Sequence, residues 1–259
     1  MKSINLISRI CLALIACTIA ACASVKPAFV EMREQSDRKI VLVVDEPHRY
    51  HPPISMRPVG MGIPLFDIFS GLVALNFEQR YDELHMRLSD QAQALQLWQN
   101  SPSPQTEFIQ ALQARLQAEG LTVEVRSAPF RLRGVGTSGR QSMQPPDDFT
   151  IVAGELAYGL RLDMGNCTLT YTLPCVRYSW VRLKKADANA KLVIEYQYDK
   201  TLPVIPSQQG AQVNLPGYRA ELPQSDSDIR AFDQALRQLV TTAVQQLMDD
   251  IQGVKSAKH

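Results

Sequence analysis

The apolar positions of this chain fall into several distinct rhythms, and each predicts an element. Lys39-Ile40-Val41-Leu42-Val43-Val44 is an unbroken β-branched run closed by Asp45-Glu46-Pro47, the pattern of a strand buried on both faces. After a loop with Pro52-Pro53, the stretch from Val59 to Leu75 is apolar with a single charge, Asp67, and is interrupted by Gly60, Gly62, Pro64 and Gly71. It reads either as an internal hairpin on the core or as an exposed contact surface. Ile63, Leu65, Phe66, Ile68, Phe69 and Leu72 would form a patch that water does not readily tolerate without a partner. From Asn76 to Gln99, Phe77, Tyr81, Leu84, Leu88, Leu95 and Trp98 recur at helical steps and predict a core-facing amphipathic helix.

Ser103 as N-cap and Pro104 at the first helical position open a second helix, with Phe108, Leu112 and Leu116 on one face and Gly120 as its stop. Leu121 to Val125 alternates as a strand. Residues 134 to 148, rich in Gly, Ser, Gln and Pro, read as a mobile loop. Phe149 to Leu162, Val176 to Lys184 and Lys191 to Tyr198 are three further strands, the last two forming a hairpin. Pro203 to Pro223 is a loop, and Ile229, Phe232, Leu236, Leu239, Ala243, Leu247 and Ile251 mark a long closing helix capped around Asp226, Ser227 and Asp228. The expected fold is α+β: a mixed, mainly antiparallel sheet of four to five strands with helices packed on one face. Residues 39–252 would form one domain with an insertion over 48–100, followed by a disordered tail over 253–259.

The beginning of the chain adds a compartment. Lys2 and Arg9 precede an apolar run from Ile10 to Ala21, about a dozen residues where a membrane span needs roughly 20. Ile19-Ala20-Ala21-Cys22 closes it in the pattern of a bacterial lipoprotein signal. Leu14-Ile15-Ala16-Cys17 fits the same pattern, but cutting there leaves an apolar core of only about seven residues, so Cys22 is the expected lipidation site. Residues 1–21 are then a signal peptide, and 22–38 a tether of mixed charge and little periodicity. Ala23 and Ser24 follow the cysteine where an aspartate would signal inner-membrane retention. The expected location is the outer membrane, with the protein facing the periplasm and anchored by palmitate-type acyl chains that contribute about 0.8 kcal/mol per buried methylene.

Composition narrows the function without naming it. Removing Lys2 and Arg9 from the 27 Lys and Arg leaves 25, against 26 Asp and Glu. This balance carries no nucleic-acid or polybasic membrane footprint. Three of the five cysteines, Cys11, Cys17 and Cys22, lie at the leader. Cys167 and Cys175 remain, an even pair in an oxidising compartment, and a disulfide is expected ahead of a thiol-redox or metal pair because the spacing is not Cys-x-x-Cys.

Gly134-Val135-Gly136-Thr137-Ser138-Gly139 spells the dinucleotide fingerprint, but Arg140 to Pro146 cannot open the helix that such a phosphate site requires. Asp45, His48 and His51 are metal-compatible types, yet Pro47 and Pro52-Pro53 keep them off a common helical face. No Gly-x-Ser-x-Gly elbow or Ser-x-x-Lys signature is present. The expectation is therefore no enzyme, no cofactor and no metal.

Gln105-Thr106-Glu107-Phe108-Ile109-Gln110-Ala111-Leu112, Ile151-Val152-Ala153-Gly154-Glu155-Leu156, Val181 to Asp187 before Lys191 to Tyr196, and Ala231-Phe232-Asp233-Gln234-Ala235-Leu236 together resemble the small α/β domain of ABC-type transport auxiliary lipoproteins and, more loosely, the domain that begins the translocation protein TolB. The resemblance covers a little over half of the mature chain and stops at the insertion over 48–100, so no functional residue is carried over. It implies a lipid-anchored, non-enzymatic accessory or assembly component of a cell-envelope complex, with envelope proteins as partners. Ile63, Leu65, Phe66, Phe69 and Leu72 are the expected partner-binding residues, together with the exposed side of the helix expected over Asn76 to Gln99. The alternative is a periplasmic carrier for an apolar ligand, with the same segment lining its cavity.

Overall fold

The computed structural model describes residues 28–34, 38–45, 50, 64–128, 131–134, 141–144, 151, 155–185, 192–202 and 217–253, with backbone alone over 64–75, 77–78, 131–134, 141–144, 185 and 192–199. Cys22 and Ile63, the whole leader, and His48 and His51 lie outside the described residues.

The strand expected at Lys39 forms as β1 (Lys39–Val44) and sits inside a five-stranded sheet. Its neighbours are β2 (Thr122–Ser127) on one side and β5 (Leu156–Asn166) on the other, both parallel to it. Flanked on both edges, β1 can be apolar throughout, and all its residues from Ile40 onward are buried. The sheet then turns antiparallel through β6 (Pro174–Lys185) and β7 (Leu192–Leu202), in the order β2-β1-β5-β6-β7. The α+β class with a mixed five-stranded sheet is as the sequence led one to expect, the longest strands being the antiparallel ones.

The two faces of the sheet are unequal. Ile40, Leu42, Val44, Tyr158, Leu160, Leu162, Val176, Tyr178 and Trp180 point to one side, into the main core. Four helices cover that side: α1 (Ala28–Glu34), α2 (Pro64–Ala94), α3 (Pro104–Ala118) and α4 (Asp226–Gln252). Val41, Val43, Ala157, Val181 and Leu183 point to the other side and form a smaller buried cluster with Ala128 and Ile151.

The caps explain the helix limits. The Ser103 Oγ accepts from the Thr106 N–H at 3.2 Å with Pro104 at the first turn, and Gly120 takes φ +82° just past the end of α3. The cap of α4 is Ser225, one residue ahead of the expected group, in a reciprocal box with Asp228. Gly253, in the left-handed region, ends that helix.

Three expectations are corrected. The hairpin considered for Val59–Leu75 is excluded from Pro64 onward, because α2 runs unbroken from Pro64 to Ala94. The interrupting residues cluster at its start, where Pro64 is tolerated in the first turn, and Gly71 alone costs only about 1 kcal/mol inside a helix. Its far end falls at Ala94 and not Gln99: Gln96 adopts φ 56° and the Leu97 N–H turns back to the Ala92 carbonyl at 3.1 Å.

Second, the stretch assigned to a tether contains α1, whose Ala28, Phe29 and Met32 are buried. Arg182 fixes this helix by donating to both Glu31 carboxylate oxygens, and the Tyr158 O–H donates to the same carboxylate at 3.2 Å. Third, the 134–148 loop contributes a strand, β4 (Gln141–Gln144), paired antiparallel with β3 (Arg131–Gly134). A strand after Gly139 is incompatible with the strand-turn-helix context of a dinucleotide fingerprint.

Candidate functional site

The excursion between β5 and β6 is built from its own side chains. Cys167 and Cys175 are bonded, with Cα atoms 5.8 Å apart. Inside the loop, Asn166 accepts from the Leu173 N–H through Oδ1 at 2.5 Å and donates from Nδ2 to the carbonyls of Thr168 and Tyr171 at 2.6 and 2.9 Å. One buried amide thereby satisfies three backbone groups that the turn would otherwise leave unpaired.

The loop is clamped from two directions. On one side Thr172 and Arg219 exchange backbone hydrogen bonds at 3.1 and 3.0 Å, and the Tyr171 and Tyr218 rings lie 5.2 Å apart. The approach of this strap is close enough to require glycine: at Gly217, φ +79°, a Cβ would meet the Ala235 Cβ at 2.6 Å.

On the other side stands α2. The Tyr81 O–H donates to the Cys167 carbonyl at 3.2 Å, and burial pushes that phenol above its ordinary pKa. His85 is 1% exposed; its Nε2 accepts from the Asn166 N–H at 2.9 Å, while Nδ1 lies 2.6 Å from the Tyr81 carbonyl. Both bonds together demand a neutral ring with its proton on Nδ1. With each nitrogen held by backbone, this imidazole is a structural bridge and has no acceptor left for proton transfer.

Between α2, the disulfide loop and the strap lies an open groove of about 460 Å³, lined by Arg80, Glu83, Leu84, Arg87, Leu169, Thr170 and Leu222. Its floor is apolar, from Leu84, Leu169 and Leu222. Arg80, Glu83 and Arg87 stand along its helical wall, all exposed. The volume is of the size that small ligands or an inserted side chain occupy.

A second polar centre lies just past the C-terminal end of α2, where Trp98 follows the helix and the Tyr50 N–H donates to the Ser89 Oγ. Asp233 on α4 is 6% exposed, and its Oδ1 accepts from the Tyr50 O–H at 2.9 Å and from the Trp98 Nε1–H at 3.0 Å. Its Oδ2 accepts from the Arg237 Nε–H at 2.7 Å, and Arg237 donates onward to Glu107 of α3. Burial, then the Asp233 charge, raise the Tyr50 phenol far above its usual range. Both oxygens of this carboxylate accept from fixed donors, so it ties the Tyr50 segment and the Trp98 turn to α4.

Among the expected site residues, the disulfide pair forms and closes the loop whose Leu169 and Thr170 line the groove. Leu65, Phe66, Phe69 and Leu72 belong to the first turns of α2, the helix that supplies the groove wall further along. Sequence reading expected the exposed side of this helix to contact a partner but did not single out Arg80, Glu83 and Arg87 on it, and it missed the role of His85. The only available signal was that Arg80, Glu83 and Arg87 share a helical face with spacings of three and four. His85 lies more than eighty positions from the cysteines in sequence, and only the fold brings it against Asn166. Among the described residues, no group of three or more His, Cys, Asp or Glu side chains could hold a metal ion, and no helix is long and apolar enough to cross a membrane.

The fold and its groove define a mixed α+β domain with a disulfide-stapled lip on its helical side. Comparisons with protein-family models, with curated proteins and with solved structures found no match to this chain.

Proposed function

We propose that the protein is a lipid-anchored, non-enzymatic accessory component of a cell-envelope complex, attached to the outer membrane through acylated Cys22 and facing the periplasm. The observation that carries this reading is the Cys167–Cys175 bond, which closes the loop that lines one side of the groove. Such a bond persists in oxidising compartments, and here it stiffens a surface that is otherwise open. The leader ending at Cys22 agrees with that compartment. The side chains with fixed hydrogen bonds around the groove serve structure, which leaves recognition as the task the geometry supports best. α2 is the recognition element, with Arg80, Glu83 and Arg87 toward its far end and Leu65, Phe66, Phe69 and Leu72 in its first turns.

Two experiments test this. Cells grown with labelled palmitate should yield a labelled protein in the outer-membrane fraction, whereas a Cys22→Ala form should be unlabelled and should not mature normally. An unlabelled wild-type protein would remove the anchor. A Phe66→Ser/Phe69→Ser variant should melt like wild type yet lose co-purification with its partner; early melting would instead make these residues part of the core.

The carrier reading keeps one observation in its favour, the volume of the groove over an apolar floor. Native mass spectrometry of the delipidated protein separates the two, because a carrier retains a small-molecule mass.

A further inference from the structure

We propose that α1 is a clamp that shortens the leash of the lipid anchor, so that the domain rests its α1 end on the bilayer surface and turns the groove toward the periplasm. This deepens the accessory-component reading and rests on its acylated Cys22.

Chain length supplies the first half of the argument. Ala28, where α1 begins, lies six positions after Cys22, a stretch that spans at most about 22 Å when fully extended. With α1 undocked the leash would run on to Lys39, where β1 begins, and would reach about 60 Å. A helix of seven residues is not stable by itself, so docking decides which leash applies. Three sets of contacts dock it. Ala28, Phe29 and Met32 are buried. The buried Arg182 donates to Glu31 from Nη2 at 2.9 Å and from Nε at 3.2 Å, and the Tyr158 O–H joins them. Arg33 reaches Glu119 at the end of α3 at 3.5 Å. Among the described residues Glu31 is the only acid paired with Arg182, so undocking would leave a buried cation without its counter-charge.

The position of these contacts supplies the second half. Tyr158 lies near the start of β5 and Arg182 near the end of β6. The Thr122 N–H donates to the Arg38 carbonyl at 2.8 Å where β1 and β2 begin, and Gln252 in the last turn of α4 meets Glu119. All of this is one end of the sheet. The groove is at the other, because its Leu169 and Thr170 belong to the turn that joins β5 to β6. From Tyr158 to Asn166 the strand rises about 27 Å. With the groove pressed on the bilayer, Ala28 would stand about 27 Å or more from the surface, beyond a leash of at most about 22 Å. The longer leash would permit either pose, so the docked α1 sets the direction. The bilayer meets the end built from α1, the starts of β1 and β2 and the last turns of α3 and α4, and whatever meets the groove approaches from the periplasmic side.

The test uses the full acylated protein in vesicles of phosphatidylethanolamine and phosphatidylglycerol that contain a headgroup-labelled acceptor lipid. A fluorescent amino acid is placed at Thr122 or at Thr170, both exposed. Energy transfer to the acceptor should be about threefold or more greater from Thr122 than from Thr170, given the roughly 27 Å between the two ends. Inserting about 24 Gly and Ser residues between Lys26 and Pro27 lengthens the leash without touching α1 and should bring the two values together. Glu31→Arg, which sets two cations against each other, should do the same by undocking α1; where it melts early, the insertion decides alone.

Equal transfer from the two positions in wild type, or more from Thr170, overturns the proposal. So does a difference that survives the insertion, since the leash would then not be what orients the domain. The mass of the amino-terminal peptide, read from the same preparation, keeps the two claims apart: an acylated Cys22 with equal transfer removes the orientation alone, whereas an unacylated Cys22 removes the envelope reading and the orientation with it.

Discussion

Asp233→Ala is expected to destabilise the protein by about 3 kcal/mol, the low end for removing one partner of a buried charge cluster. The substitution strands the Tyr50 O–H in the core, leaves the half-buried Trp98 N–H without its acceptor and leaves Arg237 with Glu107 alone. Each abandoned donor costs about 1–3 kcal/mol, and the partial exposure of Arg237 moderates the total. Asp233→Asn keeps the oxygen that Tyr50 and Trp98 use but turns an N–H toward the Arg237 Nε, so a loss of about 1–2 kcal/mol is expected. A double-mutant cycle separates these contributions: Tyr50→Phe should cost stability in wild type and little or nothing in the Asp233→Ala background. Urea melts measure the wild type and all four variants. An Asp233→Ala midpoint equal to wild type would show that the centre holds nothing together.

Cys167→Ser/Cys175→Ser should lose about 2–3 kcal/mol, the loop-entropy value for a bridge of this short span. The loss should be local before it is global. Asn166, Tyr81 and His85 still hold the base of the excursion, so amide exchange should rise at Thr168 to Leu173 and stay slow along α4. Reductant supplies the control, lowering the wild-type melting midpoint toward that of the variant and leaving the variant unmoved. If reductant does nothing to wild type, the bond does not form in the isolated protein, and the compartment assigned from it loses its support.

Legibility followed the source of each signal. Helices α3 and α4 and strand β1 were legible because their evidence is local: caps at Ser103 and Gly120, an i, i+3, i+4 stripe from Ile229 to Ile251, a run with no polar position in Lys39–Val44. α2 was split in sequence because apolar residues on all sides of its first turns conceal the helical period, and the glycines before it suggested turns. β4 was read as loop because a four-residue strand of Gln, Ser, Met and Gln has no alternation to show, and only cross-strand pairing with β3 defines it. α1 escaped notice since one short helix gains its stability from docking, here through Glu31 to Arg182, and not from propensity.

The sequence by itself determined the class of fold, the principal elements and the pairing of Cys167 with Cys175, since each depends on neighbours a few residues apart or on there being just two candidates. The tertiary structure alone decided that Arg80, Glu83 and Arg87 face Leu169 and Leu222 across a groove, that His85 bridges α2 to Asn166, and that Asp233 collects Tyr50, Trp98 and Arg237. Apart from Arg237, four positions from Asp233 on the same helix, the bonded contacts join residues from 81 to 183 positions apart, as for His85 with Asn166 and Tyr50 with Asp233. No periodicity encodes such separations, because they arise only when helices with apolar faces pack onto one side of the sheet and carry their polar residues along.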